Sequence, residues 1–384
     1  MINIKKNIDC MGCTACQSIC PKECIIMKED HEGFRYPHIE NNLCINCHLC
    51  EKVCPVMNDI VIKNNVKVYA IKNKNEEERL ISTSGGFFSV LSNYVLENNG
   101  YVCGAAYDNY FNVVHTIIHN KDELYKLRGA KYSQSDLKDI FVQVKSLLEN
   151  NKLVLFSGTP CQISGLKSYL NKQYKKLITV DLICHGVPSP KIWNYYVQYR
   201  SDIDNNGILP KAINLRSKET GWSRYNYCIK FQYEEKEYQE KNNNDIFMIG
   251  FVNDLFLRPS CYHCKFKGIN RISDFTLGDY WGIWDQQPDF DDNKGVSLVF
   301  FQSKKSFALF DLLKDRVNYI EVDEKKSIIN NNSMINSAKN HNKREIFMQY
   351  CNEKNINDMI NKSLYENVNK TSFMNKLINK LLKK

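Results

Sequence analysis

One cysteine spacing occurs twice near the start of the chain, and it limits what this region can fold into more than any other feature. The two copies are Cys10, Cys13, Cys16, Cys20 with Pro21, and Cys44, Cys47, Cys50, Cys54 with Pro55. The N-terminal lysines precede no apolar stretch, so we expect no secretory signal and a cytoplasmic, reducing location. In such a compartment thiols serve as metal ligands or redox groups more often than as disulfides.

The repeated spacing is typical of bacterial ferredoxins, in which three closely spaced thiolates hold one 4Fe-4S cluster and the fourth binds the other cluster. We therefore expect one cluster on Cys10, Cys13, Cys16 and Cys54, and a second on Cys44, Cys47, Cys50 and Cys20. Zinc is the alternative for a lone Cys-x-x-Cys pair, but the repeated run with its closing Cys-Pro favours iron. Cys24 lies outside the pattern and is predicted to be structural.

The pattern along the chain predicts an α+β or α/β protein with a small ferredoxin-like domain at residues 1–60. A larger mixed α/β region follows over residues 67–310, and residues 311–384 are predicted to form a basic helical tail. The net charge of +9 is concentrated at this end, because residues 325–384 contain twelve Lys/Arg and four Asp/Glu. The apolar stripe of Phe373–Lys384 suits contact with an anionic membrane surface or docking on the protein body. No nucleic-acid-binding motif is visible.

A second, dispersed cysteine set lies in the larger region. Cys161 and Cys184 each follow a predicted parallel strand, and such strand ends meet at one crevice of an open α/β sheet. With Cys261 and Cys264 they make four thiols, enough for a third 4Fe-4S cluster. A structural zinc or unligated thiols remain the alternatives.

Two further segments suit an anion. Ser84-Gly85-Gly86 stands at a predicted helix start, where backbone N–H groups and the helix dipole favour a phosphate, although a plain helix cap fits as well. Arg128–Ser135 is basic and polar, with a surface loop as the alternative. Neither a G-x-G-x-x-G nor a Walker A run occurs, which weighs against nicotinamide Rossmann and P-loop proteins.

Taken together and in order, these stretches resemble the beta subunits of coenzyme F420-reducing hydrogenases and F420-linked dehydrogenases. The resemblance is carried by Ser84–Gly86, Arg128–Ser135, Gly158–Gln162, Ile183–Gly186, Cys261–Cys264 and Gly278–Gly282. By this resemblance, residues 67–150 and 151–310 correspond to the N-terminal and C-terminal regions of the family, behind a fused ferredoxin module.

The resemblance implies FAD beside the third cluster. It points to flavin or substrate contacts at Ser84, Gly85, Gly86, Lys131, Tyr132 and Ser133, and it supports Cys161, Cys184, Cys261 and Cys264 as ligands. A flavin also makes chemical sense, because it exchanges both single electrons and hydride. His185 and Asp279 are weak candidates for a proton-transfer role, and for each a structural role is the alternative.

The leading hypothesis is an oxidoreductase that passes electrons among a redox partner, the clusters, FAD and a hydride-accepting molecule, F420 or another. The alternative is a non-enzymatic electron-relay subunit that docks to a catalytic partner, for which a cell-surface polysaccharide pathway is one setting. A zinc-stabilised interaction module is a third reading. The sequence names neither substrate nor partner.

Overall fold

The computed structural model describes residues 2, 7–58, 62, 64–340, 342–351 and 355–366. The N-terminal module contains two short helices and one hairpin: α1 (Ala15–Ser18), β1 (Ile25–Glu29), β2 (Arg35–Ile39) and α2 (Leu49–Lys52). The hairpin turn forms because the Asp30 carboxylate accepts the backbone N–H groups of Glu32 and Phe34. Gly33 supplies the left-handed conformation of this turn, with φ at +89°.

An eight-stranded mixed sheet forms the centre of the larger region. Its strands are β3 (Lys67–Asn73), β4 (Tyr101–Tyr107), β5 (Val113–Ile118), β6 (Val154–Gly158), β7 (Leu177–Leu182), β11 (Phe275–Asp279), β12 (Ser297–Phe301) and β13 (Val317–Glu321). They are arranged in the order β13-β3-β12-β11-β7-β6-β4-β5. The four central strands β11, β7, β6 and β4 are parallel, whereas the outer pairings are antiparallel.

Helices cover both faces of this sheet. They include α3 (Glu76–Leu80), α4 (Phe87–Glu97), α5 (Ile140–Glu149), α6 (Pro160–Leu170) and α10 (Lys304–Leu313). Phe87 and Leu91 of α4 pack with Phe310 of α10 in one core, and α5 and α6 contribute Phe141 and Leu166 to another. The sheet is therefore apolar on both faces, as is usual when parallel strands are buried.

A smaller antiparallel sheet lies beside the main one and packs on a third core. It consists of β8 (Ala212–Ser217), β9 (Cys228–Gln232) and β10 (Glu237–Lys241). The accompanying helices are α7 (Pro190–Asn205), α8 (Ile246–Val252), α9 (Ile283–Gln286), α11 (Glu324–Ser327), α12 (Asn342–Gln349) and α13 (Ile356–Asn361). Trp193 of α7, Phe247 of α8 and Phe347 of α12 are fully buried in this core.

The mixed α/β class with a small ferredoxin-like module in front is confirmed, but one detail differs from expectation. Strand β13 lies inside the predicted helical tail and pairs with β3, because its alternate apolar residues complete an edge of the sheet. Residues 67–150 and 151–310 both supply strands to the same sheet. The amphipathic segment Phe373–Lys384 lies outside the described residues.

Among the described residues, no helix combines the length and the apolar character that crossing a membrane requires.

Candidate functional site

The two N-terminal cysteine loops share one unusual backbone conformation. In the first loop Gly12 and Thr14 have φ angles of 70° and 60°, and in the second Asn46 and His48 have φ angles of 53° and 59°. Left-handed residues on both sides of the middle cysteine turn the chain back on itself, and the next residues begin α1 or α2. Each loop therefore wraps its thiols around one space.

The fourth cysteine of each run lies in the opposite loop's cavity, as the ferredoxin pattern requires. Two sets of thiols result. The first nest is lined by Cys10, Cys13, Cys16 and Cys54. The second nest is lined by Cys20, Cys44, Cys47 and Cys50, together with Cys24.

The nests differ in their access to water. Cys13, Cys16 and Cys54 of the first nest are buried, whereas Cys47 of the second is exposed. Burial raises the pKa of Cys16 to about 12, and the neighbouring Cys10 and Cys54 thiols add to the shift. Iron binds thiolates, so cluster assembly in this nest must release protons.

A third nest lies at the carboxyl ends of the parallel strands. Cys161 is the second residue of α6, after β6; Cys184 follows β7; and Cys261 and Cys264 belong to a short turn between β10 and β11. All four line one cavity of about 210 Å³. Burial raises the pKa of Cys161 to about 12, and the Cys264 and Cys184 thiols contribute.

The first and third nests are neighbours. Asp9, Met11 and Val56 line both cavities. The second nest adjoins the first, since Cys20, Cys44 and Cys50 pack against the buried cluster that contains Cys16 and Cys54. The three nests thus form a row that begins at exposed Cys47.

Within the described ranges, no group of three or more His, Cys, Asp or Glu side chains converges on the position of a single metal ion. Such convergence, with all ligand atoms at bonding distance from one centre, is the geometry of a site for one ion, such as structural zinc.

The segment Ser84-Gly85-Gly86 is buried and turned inward. The Ser84 hydroxyl donates to the carbonyl of Val296 at 2.7 Å. A Cβ on Gly85 would lie 2.1 Å from the carbonyl oxygen of Ile71, so strand β3 leaves room only for glycine here. Gly86 caps α4 with φ at 78°, and the helix begins at Phe87.

The other three predicted flavin contacts follow β5 in the chain. Lys131 donates to the carbonyl of Arg128 at 2.6 Å, and burial lowers its pKa to about 7. The Tyr132 hydroxyl accepts from Nη1 of Arg216 at 2.7 Å. The hydroxyl of Ser133 is buried without a hydrogen-bond partner among the described residues.

Arg216 joins several of these residues into one group, which we call the Arg216 cluster: Ser84, Tyr132, Arg216, Lys218, Trp222 and Asp279. Nη2 of Arg216 pairs with Asp279 at 2.7 Å. Lys218 donates to the carbonyls of Ser84 and Arg79, both at 2.6 Å. Burial lowers the pKa of Lys218 to about 7. Lys218 thus lies beside the inward-turned Ser84.

Several buried polar atoms of this region have no partner in the part of the chain that the structure describes. They are Nε of Arg216, Nε1 of Trp222, Oδ1 of Asp279 and the hydroxyl of Ser133. Buried polar groups are nearly always hydrogen-bonded, so these atoms have unused capacity to donate or accept a hydrogen bond.

His185 connects the third nest to the Arg216 cluster. It lines the third cavity, and its ring lies 5.1 Å from that of Phe251, which in turn lies 4.7 Å from Tyr132. Both ring nitrogens are engaged: Nε2 with Asp254 at 2.6 Å and Nδ1 with Ser333 at 3.2 Å. This favours an orienting role for His185, whereas one carboxylate oxygen of Asp279 remains available to a bound group.

Sequence reasoning missed three residues of these sites. Arg216, Lys218 and Trp222 carried only a weak signal, two basic residues at the end of a strand. Cys24, which was predicted to be structural, is buried, and its sulfur lies 3.4 Å from that of Cys20. Cys103, Cys228 and Cys351 are isolated in the sequence and buried in the structure.

Comparison with known proteins agrees with this architecture. Residues 151–327 match the family model for the C terminus of the coenzyme F420 hydrogenase/dehydrogenase beta subunit. Residues 9–58 match the 4Fe-4S dicluster domain. A search of curated proteins found no match.

Among solved structures, the chain is similar to a chain of the xenon-derivatised F420-reducing [NiFe] hydrogenase complex from Methanosarcina barkeri. The TM-score is 0.45 at 16% sequence identity, and the match covers 79% of this chain and 93% of that chain. The two matches support the resemblance to the coenzyme F420 hydrogenase/dehydrogenase beta subunit family, with an N-terminal 4Fe-4S dicluster domain in front.

Proposed function

We propose that this chain is an iron–sulfur flavoprotein oxidoreductase with three 4Fe-4S clusters and one FAD that exchanges hydride with F420 or another organic molecule. The observation that carries the proposal is the row of three four-cysteine nests ending beside the Arg216 cluster. The twelve cysteines of these nests are the proposed ligands: Cys10, Cys13, Cys16, Cys20, Cys44, Cys47, Cys50, Cys54, Cys161, Cys184, Cys261 and Cys264.

The Arg216 cluster has the chemistry that a flavin needs. The isoalloxazine edge presents carbonyl acceptors and an N–H donor, which suit the unpaired Nε of Arg216, Nε1 of Trp222 and Oδ1 of Asp279. Lys131 and Lys218, with pKa values of about 7, gain charge when an anionic phosphate approaches. These residues, with Ser84, Tyr132 and Ser133, are the proposed flavin-binding residues.

When bound, the clusters carry single electrons and the flavin joins them to hydride chemistry. The protein positions these groups. The aromatic contact His185–Phe251–Tyr132 lies between the third nest and the Arg216 cluster. Exposed Cys47 marks the second nest as the place where a redox partner exchanges electrons.

Anaerobic purification followed by iron, sulfide and flavin analysis tests the proposal. We expect about twelve irons per chain from three four-iron clusters, together with a flavin spectrum that bleaches on reduction. Serine variants of Cys47, Cys54 and Cys161 should each lose about four irons. Cys228→Ser is the matched control, because Cys228 is buried outside the nests. A folded, active protein without iron would refute the proposal.

Turnover separates this function from the relay alternative. Flavin reduction by reduced F420 or by NADH in the isolated chain supports an enzyme. Reduction that occurs only through a protein partner supports a relay subunit.

A further inference from the structure

We propose that the Arg258 guanidinium is a fixed positive charge shared by the first and third nests, and that it raises the reduction potentials of the clusters bound there. This inference rests on the proposed function, because it requires clusters in both nests. It adds a positioning residue that links the two halves of the electron path.

Arg258 is completely buried between the two nests. Nε donates to the carbonyl of Cys10 at 2.8 Å, Nη2 to that of Arg35 at 2.9 Å, and Nη1 to the side-chain oxygen of Gln134 at 2.8 Å. The same side chain lines the third cavity. It therefore contacts the chain of one nest and the wall of the next.

The hydrogen-bond partners of this guanidinium are all neutral. They are two carbonyls and an amide, and the ion pairs among the described residues do not include Arg258. The other buried arginines differ, since Arg216 pairs with Asp279 and Arg344 with Glu32. A buried charge without a counter-charge is costly, so negative charge is expected close by.

Cysteine-ligated clusters supply that negative charge. A four-iron cluster with four thiolates is anionic and becomes more so on reduction, and nearby charge is one of the factors that set its potential. Arg258 should stabilise the added electron in either neighbouring cluster. Neither Arg258 nor any of its hydrogen-bond partners lines the second nest, so the potential of the cluster bound there should depend less on Arg258.

The surrounding side chains hold the guanidinium in place. Tyr36 lies beneath it at 4.3 Å from the ring centroid, and Gln134 also donates to the carbonyl of Met11 at 3.1 Å. A Cβ on Gly12 would lie 3.0 Å from Nη1 of Arg258 and 2.7 Å from Nε2 of Gln134. The charge has little freedom to move away from the nests.

Redox titration of the iron-loaded chain, followed by electron paramagnetic resonance, tests the proposal. Three variants are compared. Arg258→Gln removes the positive charge, and Arg258→Lys keeps that charge. Gln134→Glu places a negative charge beside the Arg258 guanidinium in a side chain of the same size as glutamine. The serine variants of Cys47, Cys54 and Cys161 assign the signals to nests. We expect lower midpoint potentials for the first and third clusters in both charge-altering variants, a much smaller shift with lysine, and little change in the second cluster.

The outcomes separate this inference from the proposed function. Full iron content with unchanged potentials in Gln134→Glu overturns the role of Arg258, as does an equal shift of all three clusters. Fewer than about twelve irons in the unmodified chain contradicts the proposed function itself. If Arg258→Gln fails to fold, Gln134→Glu still decides the question.

Discussion

A single glycine allows the first nest to approach helix α6. A Cβ at Gly165 would lie 2.8 Å from Cβ and 2.9 Å from Sγ of Cys13, both of which are fixed by the buried loop. The absence of a side chain thus lets the ferredoxin module dock on the main domain with Cys13 at the contact.

We expect Gly165→Ala to destabilise the protein by about 1–3 kcal/mol, because an extra methyl group overpacks this contact. The melting temperature and the iron content of the anaerobic protein measure the effect. Gly104→Ala is the control, since its Cβ would meet only ordinary contacts with Leu127 at 3.7 Å. Equal stability of the two variants would show that the contact with Cys13 shifts to accommodate the added methyl group.

Lys218 should make stability depend on pH. Its folded-state pKa is about 7, below that of an unfolded lysine, so the unfolded chain binds more protons between these values. The free energy of unfolding therefore rises with pH above about 7. It is lowest below pH 7, where the buried amine must carry a charge.

In Lys218→Met the contribution of Lys218 to that rise should be absent, whereas the contribution of Lys131, whose pKa is also about 7, should remain. The difference between the parent and the variant should amount to about 1–2 kcal/mol between pH 7 and pH 9, measured by thermal melting at both values. Exposed Lys236→Met should keep the rise. A variant that retains the full pH dependence would show that Lys218 is solvated.

Among the elements, helix α12 and the β1–β2 hairpin hold the two halves of the molecule together. Arg344 of α12 pairs with Glu32 of the hairpin turn at 2.5 Å, and both side chains are nearly buried. Ser189, which caps α7, donates to the carbonyl of Glu32. Helix α12 therefore fixes the position of the iron-binding module, although the two are more than 300 residues apart in the chain.

Arg344→Ala should cost about 3–5 kcal/mol, because it leaves the Glu32 carboxylate buried without its partner. Thermal melting and limited proteolysis near residue 60 report the loss. Arg316→Ala, which breaks a half-exposed pair with Glu97, should cost at most about 1 kcal/mol. Similar effects of both variants would argue against a buried clamp.

At the scale of the whole molecule, the three nests differ in exposure. The second nest opens to solvent at Cys47, the first has three buried cysteines, and the four cysteines of the third, at the strand ends of the larger domain, are partly exposed. Mild treatment with air or ferricyanide should therefore destroy the cluster of the second nest first. Cluster signals followed over time measure the order, and simultaneous loss of all three would contradict the proposed arrangement.

The sequence by itself determined the class of protein, the mixed α/β fold and the two N-terminal cysteine loops. These features follow from local pattern: hydrophobic periodicity specifies strands and helices, and the two-residue gaps between cysteines require only the backbone of one short loop. The strand–helix–strand order also brought Cys161 and Cys184 to one edge, because parallel strands end on the same side of a sheet.

Only the tertiary structure decided which distant residues meet. Strand β13 pairs with β3, which begins 250 positions earlier in the chain. Arg216 of the second sheet reaches Tyr132, and Lys218, directly after the strand that contains Arg216, reaches Ser84. Arg258 lies between two nests whose cysteines come from three separate parts of the chain. Such contacts depend on packing between elements, and the spacing of residues along the chain does not specify that packing.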